Sequence, residues 1–545
     1  MSIYLYIILA YLLVLTAFNF IRAKRIKSQE DFMVAGRSLK WQVMVFTLIC
    51  TWIGSGTFIS GAEFASKSGF SALWLAAGAW VGIIFIYFLA AKIQTFGQYT
   101  VGDVLEVRYG PAARLLGAVA LILSFISIVS YQFVAGGFIL NVATDGRISE
   151  PLGTLIAASF VILFTVLGGM IAIAYTDVPN GIIIVLACLL AVPFVVSAAG
   201  GLPAAKAALE PGYFAVVNNQ FGAHPWLKAI GYFLSTMFLL MGVQSMYQKF
   251  YSAKSAKDAK KSVVWWTIGT IFVETIVVVI AVFSFSKFKG QIDLSVPKAG
   301  GKVVLMAARS LVPAPVGVLL LAAACAVVIS TGMNYLLSPS TTISRDIVTR
   351  FFKNKSLQAI RIISLIAFVV IGFFVCLSFL SSLAMKASGK GKLAIILILS
   401  AIAGLFAKGF KSGKNPNVLL QKIFILIIGF IGFILATKLR SVLEMSFFAY
   451  TIYGAAITPA LIAALTWKRA TKAGGLASII AGTVVCLFFF AMSKVLPAAK
   501  VPDGDPWGIP LIYPALIASL GSLIAVSLLT PKPKPEELEK FFPKK

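Results

Sequence analysis

The chain has 545 residues, 59% hydrophobic and 12% charged, where a soluble domain carries roughly one-quarter charged residues; this excludes a soluble globular protein and leaves an all-α polytopic membrane protein. The net charge of +28 is spread over short loops and not gathered on one basic domain, so it speaks to membrane orientation and lipid headgroups and against nucleic acid. The five cysteines lie in apolar segments without metal-ligand spacing, there is one histidine, His224, and no Gly-rich phosphate loop is present, which leaves the catalytic and nucleotide-driven classes nearly empty.

About twenty apolar residues cross the ~30 Å hydrocarbon core. Such stretches fall near 3–21, 43–64, 71–92, 114–141, 152–172, 178–199, 228–247, 264–285, 314–335, 357–381, 392–408, 417–437, 443–466, 473–493 and 510–529. The first, followed by Arg22, Lys24, Arg25 and Lys27, reads as a retained span with its amino terminus outside. Basic clusters such as Ala253 to Ser262 and Trp467 to Lys472 then alternate as the positive-inside rule requires, leaving the carboxyl terminus inside. Residues 354–414 read as an inserted transmembrane hairpin, 467–529 as two peripheral spans, and the proline-rich tail 530–545 as a flexible cytoplasmic end.

Two segments depart from plain spanning helices. Thr51 to Gly61, TWIGSGTFISG, carries Gly54, Ser55 and Gly56 in its middle, and Val327 to Asn334, VVISTGMN, carries Ser330 and Thr331. Unwound backbone inside a bilayer is tolerated only where it is buried in protein or lines a cavity, and transporters hold substrates and coupling ions at such breaks. A break at Gly54 frees the carbonyls of Cys50 and Ile53. Val327, Ser330 and Thr331 share one helical face, since they lie three and four residues apart. The competing reading is that the two hydroxyls bond back to their own helix.

Asp177, in YTDVPNG, is costly near a membrane interior and is expected to have a role; the competing reading is a cap of a helix starting at Val178. Beside the unwound stretch Ser55, Gly56 and Thr57, a polar and aromatic lining is expected from Trp52, Tyr131, Gln132, Gln244, Tyr247, Asn334, Tyr450 and Tyr453, which suits a small organic solute; each tyrosine also has a packing alternative. Glu63 reads as a neutral acid bonded to a neighbouring helix. Glu274 and Glu444 receive no role.

Asp31 to Leu39, Thr51 to Glu63, Tyr99 to Gly110, Gly168 to Gly181, Ser330-Thr331, Ser344 to Ile347 and Trp467 to Ser478 together resemble the sodium:solute symporter family, and the first broken helix is similar to that of its choline transporters. The resemblance implies a leucine-transporter-type core of ten helices in an inverted repeat plus peripheral helices, about 13 family-like spans and the extra hairpin, with 43–199 as the first repeat and 228–466, minus the hairpin, as the second. It implies a sodium ion held by the carbonyls of Cys50, Ile53 and Val327 and the hydroxyls of Ser330 and Thr331, and sodium-driven import of a small organic solute through a multi-pass plasma membrane protein, with a monomer as the transport unit. Met333 and Asn334 stand where a second sodium site would want hydroxyls, so the resemblance implies one sodium per cycle, with Asp177 along the ion exit path. The solute stays open among a choline-like cation, an amino acid, a carboxylate and a sugar. A sodium-independent facilitator or channel, and a membrane sensor module, remain as alternatives.

Overall fold

The computed structural model describes residues 3–23, 26, 28–222, 224–296, 298–351, 416–439 and 441–542. Among them there is no strand, as a chain whose backbone must satisfy itself in lipid requires; one isolated bridge joins Leu39 and Ala253. The hairpin expected at 357–408 lies outside the described residues.

The helices are α1 (Ile3–Ala23), α2 (Gln29–Val34), α3 (Trp41–Trp52), α4 (Ala62–Ser68), α5 (Leu73–Phe96), α6 (Val101–Tyr109), α7 (Pro111–Ala143), α8 (Glu150–Ala198), α9 (Gly201–Ala208), α10 (Pro225–Gly242), α11 (Gln244–Ser252), α12 (Ala256–Phe288), α13 (Val303–Ser310), α14 (Ala314–Thr342), α15 (Pro416–Lys438), α16 (Val442–Ala456), α17 (Thr458–Thr466), α18 (Lys472–Val495), α19 (Ile512–Leu529) and α20 (Pro535–Leu538). Ten helical stretches among the described residues are long and apolar enough to cross a membrane. Several start where the sequence offers a cap: the hydroxyls of Ser28, Thr100, Ser255 and Ser441 accept from the backbone N–H three residues on, satisfying a donor the helix itself cannot.

Two helices break in mid-membrane. The first stops at Trp52, passes through Ile53, Gly54 and Ser55, and resumes as a π-helical turn, Gly56–Gly61, leading into α4. The second stops at Gly242 and restarts at Gln244, with Val243 extended at φ −63° and ψ 123°. Each heads a run of helices, α3 to α8 and α10 to α17, and α14 packs at the centre against α7 and α8. Every residue of α14 from Leu320 to Thr342 is buried, so its polar groups must find partners inside the protein.

Three sequence expectations change. The long helix α8 runs 49 residues and bends at Gly169 (φ 51°, ψ −167°), not between residues 172 and 178. A Cβ there would fall 2.6 Å from Phe32 Cδ2, so glycine is required both by the left-handed backbone and by the ring. Asp177 consequently lies well inside a helix and caps nothing. Glu63 does bond to a neighbouring helix, accepting from Ser441 Oγ at the start of α16 at 3.3 Å, but it also pairs with Lys67 Nζ of its own helix at 3.1 Å. The tail, expected to be loose, is docked. Phe541 is fully buried and packs on Phe96 with ring centroids 4.9 Å apart, and Lys472 pairs with Glu537 at 2.6 Å.

One end of the bundle is closed by charge. The buried Arg114 guanidinium pairs with Asp103 at 2.6 Å, Asp346 at 2.5 Å and Glu106, while Thr100 Oγ1 donates to Asp346 Oδ1 at 2.8 Å. These groups come from α6, α7 and the π-helical extension of α14, Ile343–Thr349, so one fork ties three elements. Burial pushes the Glu106 carboxyl up, but the guanidinium groups of Arg114 and Arg350 outweigh it and hold the group below the usual glutamate range. Its contribution is therefore present at neutral pH and lost only as pH falls below that range. Arg114→Ala leaves the buried Asp346 carboxylate without an ion pair, a cost of about 3 kcal/mol or more, while Asp103 and Glu106 keep Arg345 and Arg350; a clearly lower unfolding temperature in detergent is expected, with Arg114→Lys intermediate because an ammonium cannot reproduce the fork.

Candidate functional site

The first helix break faces α14. Thr331 Oγ1 donates to the carbonyl of Cys50 at 2.8 Å and lies 3.4 Å from that of Ile53, and Ser330 Oγ reaches the Cys50 carbonyl at 3.4 Å. Val327, the remaining residue of the set expected from the sequence, is buried one turn earlier on α14. The two hydroxyls thus turn toward the broken helix, which argues against simple back-bonding within α14. Oxygens from two helices converge at one buried point, and all are neutral: this is the donor chemistry of a hard, weakly charged cation. Gly54 is needed for the approach, since a Cβ there would fall 2.8 Å from Thr331 Cγ2 and 2.9 Å from Gln132 Nε2.

Asp177 joins this cluster from α8. Its carboxylate accepts from Ser330 Oγ and, at 2.5 Å, from Thr47 Oγ1 of α3, while its carbonyl accepts from Cys50 Sγ at 3.3 Å. Asn334 Nδ2 donates to the Ser330 carbonyl at 3.0 Å, and its side-chain oxygen accepts from Lys249 Nζ. Lys249 is fully buried and also contacts Met170 Sδ at 3.4 Å. An ammonium and a carboxylate thus flank one network. Thr47 and Lys249 were not singled out from the sequence; a lysine two residues after Tyr247 reads there as a side chain reaching for the membrane surface, and only the fold turns it inward.

On the other side of the break lies a cavity whose lining includes Trp52, Gly56, Thr57, Glu274 and Tyr450. Gly56 lets it exist, because a Cβ there would meet Tyr450 Oη at 2.5 Å. The rings of Trp52 and Tyr450 are 5.9 Å apart and tilted by 42°, and Tyr131 Oη reaches Tyr450 Oη at 3.4 Å. Gln132 Oε1 accepts from the Ser55 backbone N–H at 3.1 Å, and the buried Ser55 hydroxyl has no partner.

The other expected lining residues stand elsewhere. Gln244 accepts from the Val101 N–H at 3.1 Å and donates to the Ser338 carbonyl at 3.1 Å and Thr342 Oγ1 at 2.7 Å. Tyr453 Oη donates to the Gly242 carbonyl and accepts from the Gln244 N–H, both at 3.0 Å, and Tyr247 donates to the Met241 carbonyl at 3.0 Å. The two tyrosines satisfy the orphaned groups of the second helix break, Gln244 ties that break to α6 and α14, and none of the three lines the cavity. Asn334 belongs to the ion cluster. Glu274, given no role from the sequence, enters the cavity in their place.

With this geometry, three comparisons agree. The sequence profile described as "Sodium:solute symporter family" matches residues 32–411, more than half of the chain. The osmoregulated proline transporter OpuE of Bacillus subtilis is 23% identical over 527 residues, covering 94% of this chain and 91% of that protein, and the high affinity choline transporter 1 of Homo sapiens is 24% identical over 339 residues, covering 60% and 57%. Among solved structures, a Na+-coupled sialic acid symporter in its substrate-bound outward-open state superposes with a TM-score of 0.70 at 14% identity, covering 98% and 99% of the two chains, and MhsT in complex with L-phenylalanine with a TM-score of 0.52 at 14% identity; at such identities these two speak for the fold alone. The chain belongs to the sodium:solute symporter family, a multi-pass plasma membrane protein that couples sodium to the transport of a small solute and is not an enzyme.

Proposed function

We propose that the sodium ion is held by the carbonyls of Cys50, Ile53 and Val327 and the hydroxyls of Ser330 and Thr331, and that the solute binds on the far side of the same break, against Trp52, Gly56, Thr57 and Tyr450. The observation that carries this reading is the meeting of Thr331 Oγ1 with both carbonyls that the break sets free. Sodium arriving between α3 and α14 fixes Ile53 to Ser55, and so fixes the wall of the solute cavity; import follows by alternating access, with the repeat 43–199 rocking against the second repeat, 228–351 and 416–466, and the amino terminus outside. Release inward begins when the charge cluster around Arg114 opens. Asp177, bonded to Ser330 and Thr47, lies on the route the departing ion takes.

One sodium per cycle is proposed. Met333 offers no oxygen, and the Asn334 side-chain oxygen already accepts from the Lys249 ammonium, so the neighbourhood of Asp177 has its own resident positive charge. The reversal potential of uptake current in proteoliposomes is expected to give one sodium per solute; a ratio of two would remove this account of Lys249.

Ser330→Ala and Thr331→Ala each delete an oxygen that contacts the ion. With a hydrogen bond to a charged group worth about 1.5–3 kcal/mol, each is expected to raise the sodium concentration for half-maximal uptake roughly tenfold or more. Unchanged sodium dependence in both would remove the assignment. Gly54→Ala is expected to abolish sodium-dependent uptake while leaving the protein in the membrane, since its Cβ intrudes on Thr331 and Gln132.

A further inference from the structure

Five acidic side chains among the described residues are buried: Glu63, Asp103, Asp177, Glu274 and Asp346. Glu63 pairs with Lys67, while Asp103 and Asp346 pair with Arg114. Asp177 is linked through Ser330 and Asn334 to Lys249. Glu274 differs: no lysine, arginine or histidine among the described residues pairs with it. It sits in the middle of α12, and a charged side chain at such depth is costly enough to mark a functional partner.

Its two oxygens are held from opposite sides. Trp52 Nε1 donates to Oε1 at 2.9 Å and Trp80 Nε1 donates to Oε2 at 2.7 Å. Both oxygens accept from neutral N–H donors, so the group is oriented and no cation pairs with it; a cationic solute beside it would favour its ionised form. Glu274 lines the cavity together with Trp52 and Tyr450, whose tilted rings offer the electron-rich faces that attract an organic cation. The missing positive charge and the aromatic wall meet in one place.

We propose that Glu274 is the specificity-determining residue of the solute site and that the transported solute carries a positively charged nitrogen, which lodges against the Glu274 carboxylate and the Trp52 and Tyr450 rings. This rests on the cavity being the solute site. Trp52 directly precedes Ile53, a proposed sodium ligand, so the ion that fixes Ile53 also fixes the indole that orients Glu274. Solute charge and sodium then occupy opposite faces of the same broken segment, each held by its own groups.

The test is thermal stabilisation of the purified full-length protein in sodium and in potassium by choline, L-proline, D-glucose and pyruvate. Stabilisation in sodium by choline or L-proline, and not by D-glucose or pyruvate, is expected. The Glu274→Gln protein should keep the stabilisation given by sodium alone while requiring on the order of 100-fold more of the ammonium solute. Independently of any variant, the carbon isosteres that lack the charged nitrogen, 3,3-dimethylbutan-1-ol for choline and cyclopentanecarboxylate for L-proline, should bind the unaltered protein far more weakly than their ammonium counterparts. Stabilisation by D-glucose or pyruvate, by none of the ammonium solutes, equally by the isosteres, or unchanged in Glu274→Gln overturns the proposal. A solute effect indifferent to sodium would instead overturn the assignment of the ion site, and the two failures are distinguishable.

Discussion

The whole arrangement depends on one unsatisfied piece of backbone. A helix that stops inside a membrane leaves carbonyls that water cannot reach, and each must find a partner or cost several kcal/mol. At Cys50 and Ile53 the partners are hydroxyls from α14, and that helix can supply them only because it is buried along its entire central length. Around this contact the rest follows: Gly54 for close approach, Gly56 for the cavity, Gln132 to hold the Ser55 N–H, and Asp177 to orient Ser330.

The second break is handled differently. At Gly242 and Val243 the freed groups are closed by Tyr453 and Tyr247 of the chain itself, leaving nothing to offer a visitor. Two breaks with similar backbone thus have opposite fates, decided by what side chains face them. The charge cluster around Arg114 lies on the side of Gln244, since Thr100 and Val101 begin the helix that carries Asp103; closure of that end and satisfaction of the second break are one construction.

Much of this was legible in the sequence. Gly54 to Gly56 within an apolar run, and Ser330 and Thr331 at helical spacing from Val327, point to the meeting of the first break with α14 because both signals are local and periodic. Glu274 and Lys249 were not legible in the same way, since a lone charge in an apolar segment does not say whether it turns to a cavity, a partner or the membrane surface; that depends on indoles and amides from distant helices. Gln244, Tyr247 and Tyr453 were placed in the solute site because their residue types suit it, and only the position of the second break reassigns them. The bend in α8 was misplaced by several residues because hydropathy sees the polar Asp177 and not the positive φ at Gly169. The docked tail was missed for a related reason: its composition is that of a loose end, yet one phenylalanine finds a hydrophobic seat.

The neutrality of the proposed ion ligands has an electrical consequence. Carbonyl and hydroxyl oxygens cancel none of the sodium charge, and the nearest carboxylate, Asp177, shares its network with the ammonium of Lys249, so the ion enters and leaves as a full elementary charge. Each such charge moving through a potential of 100 mV gains about 2.3 kcal/mol. The voltage across the membrane therefore acts on the step in which the loaded protein turns, and not on the return of the empty one.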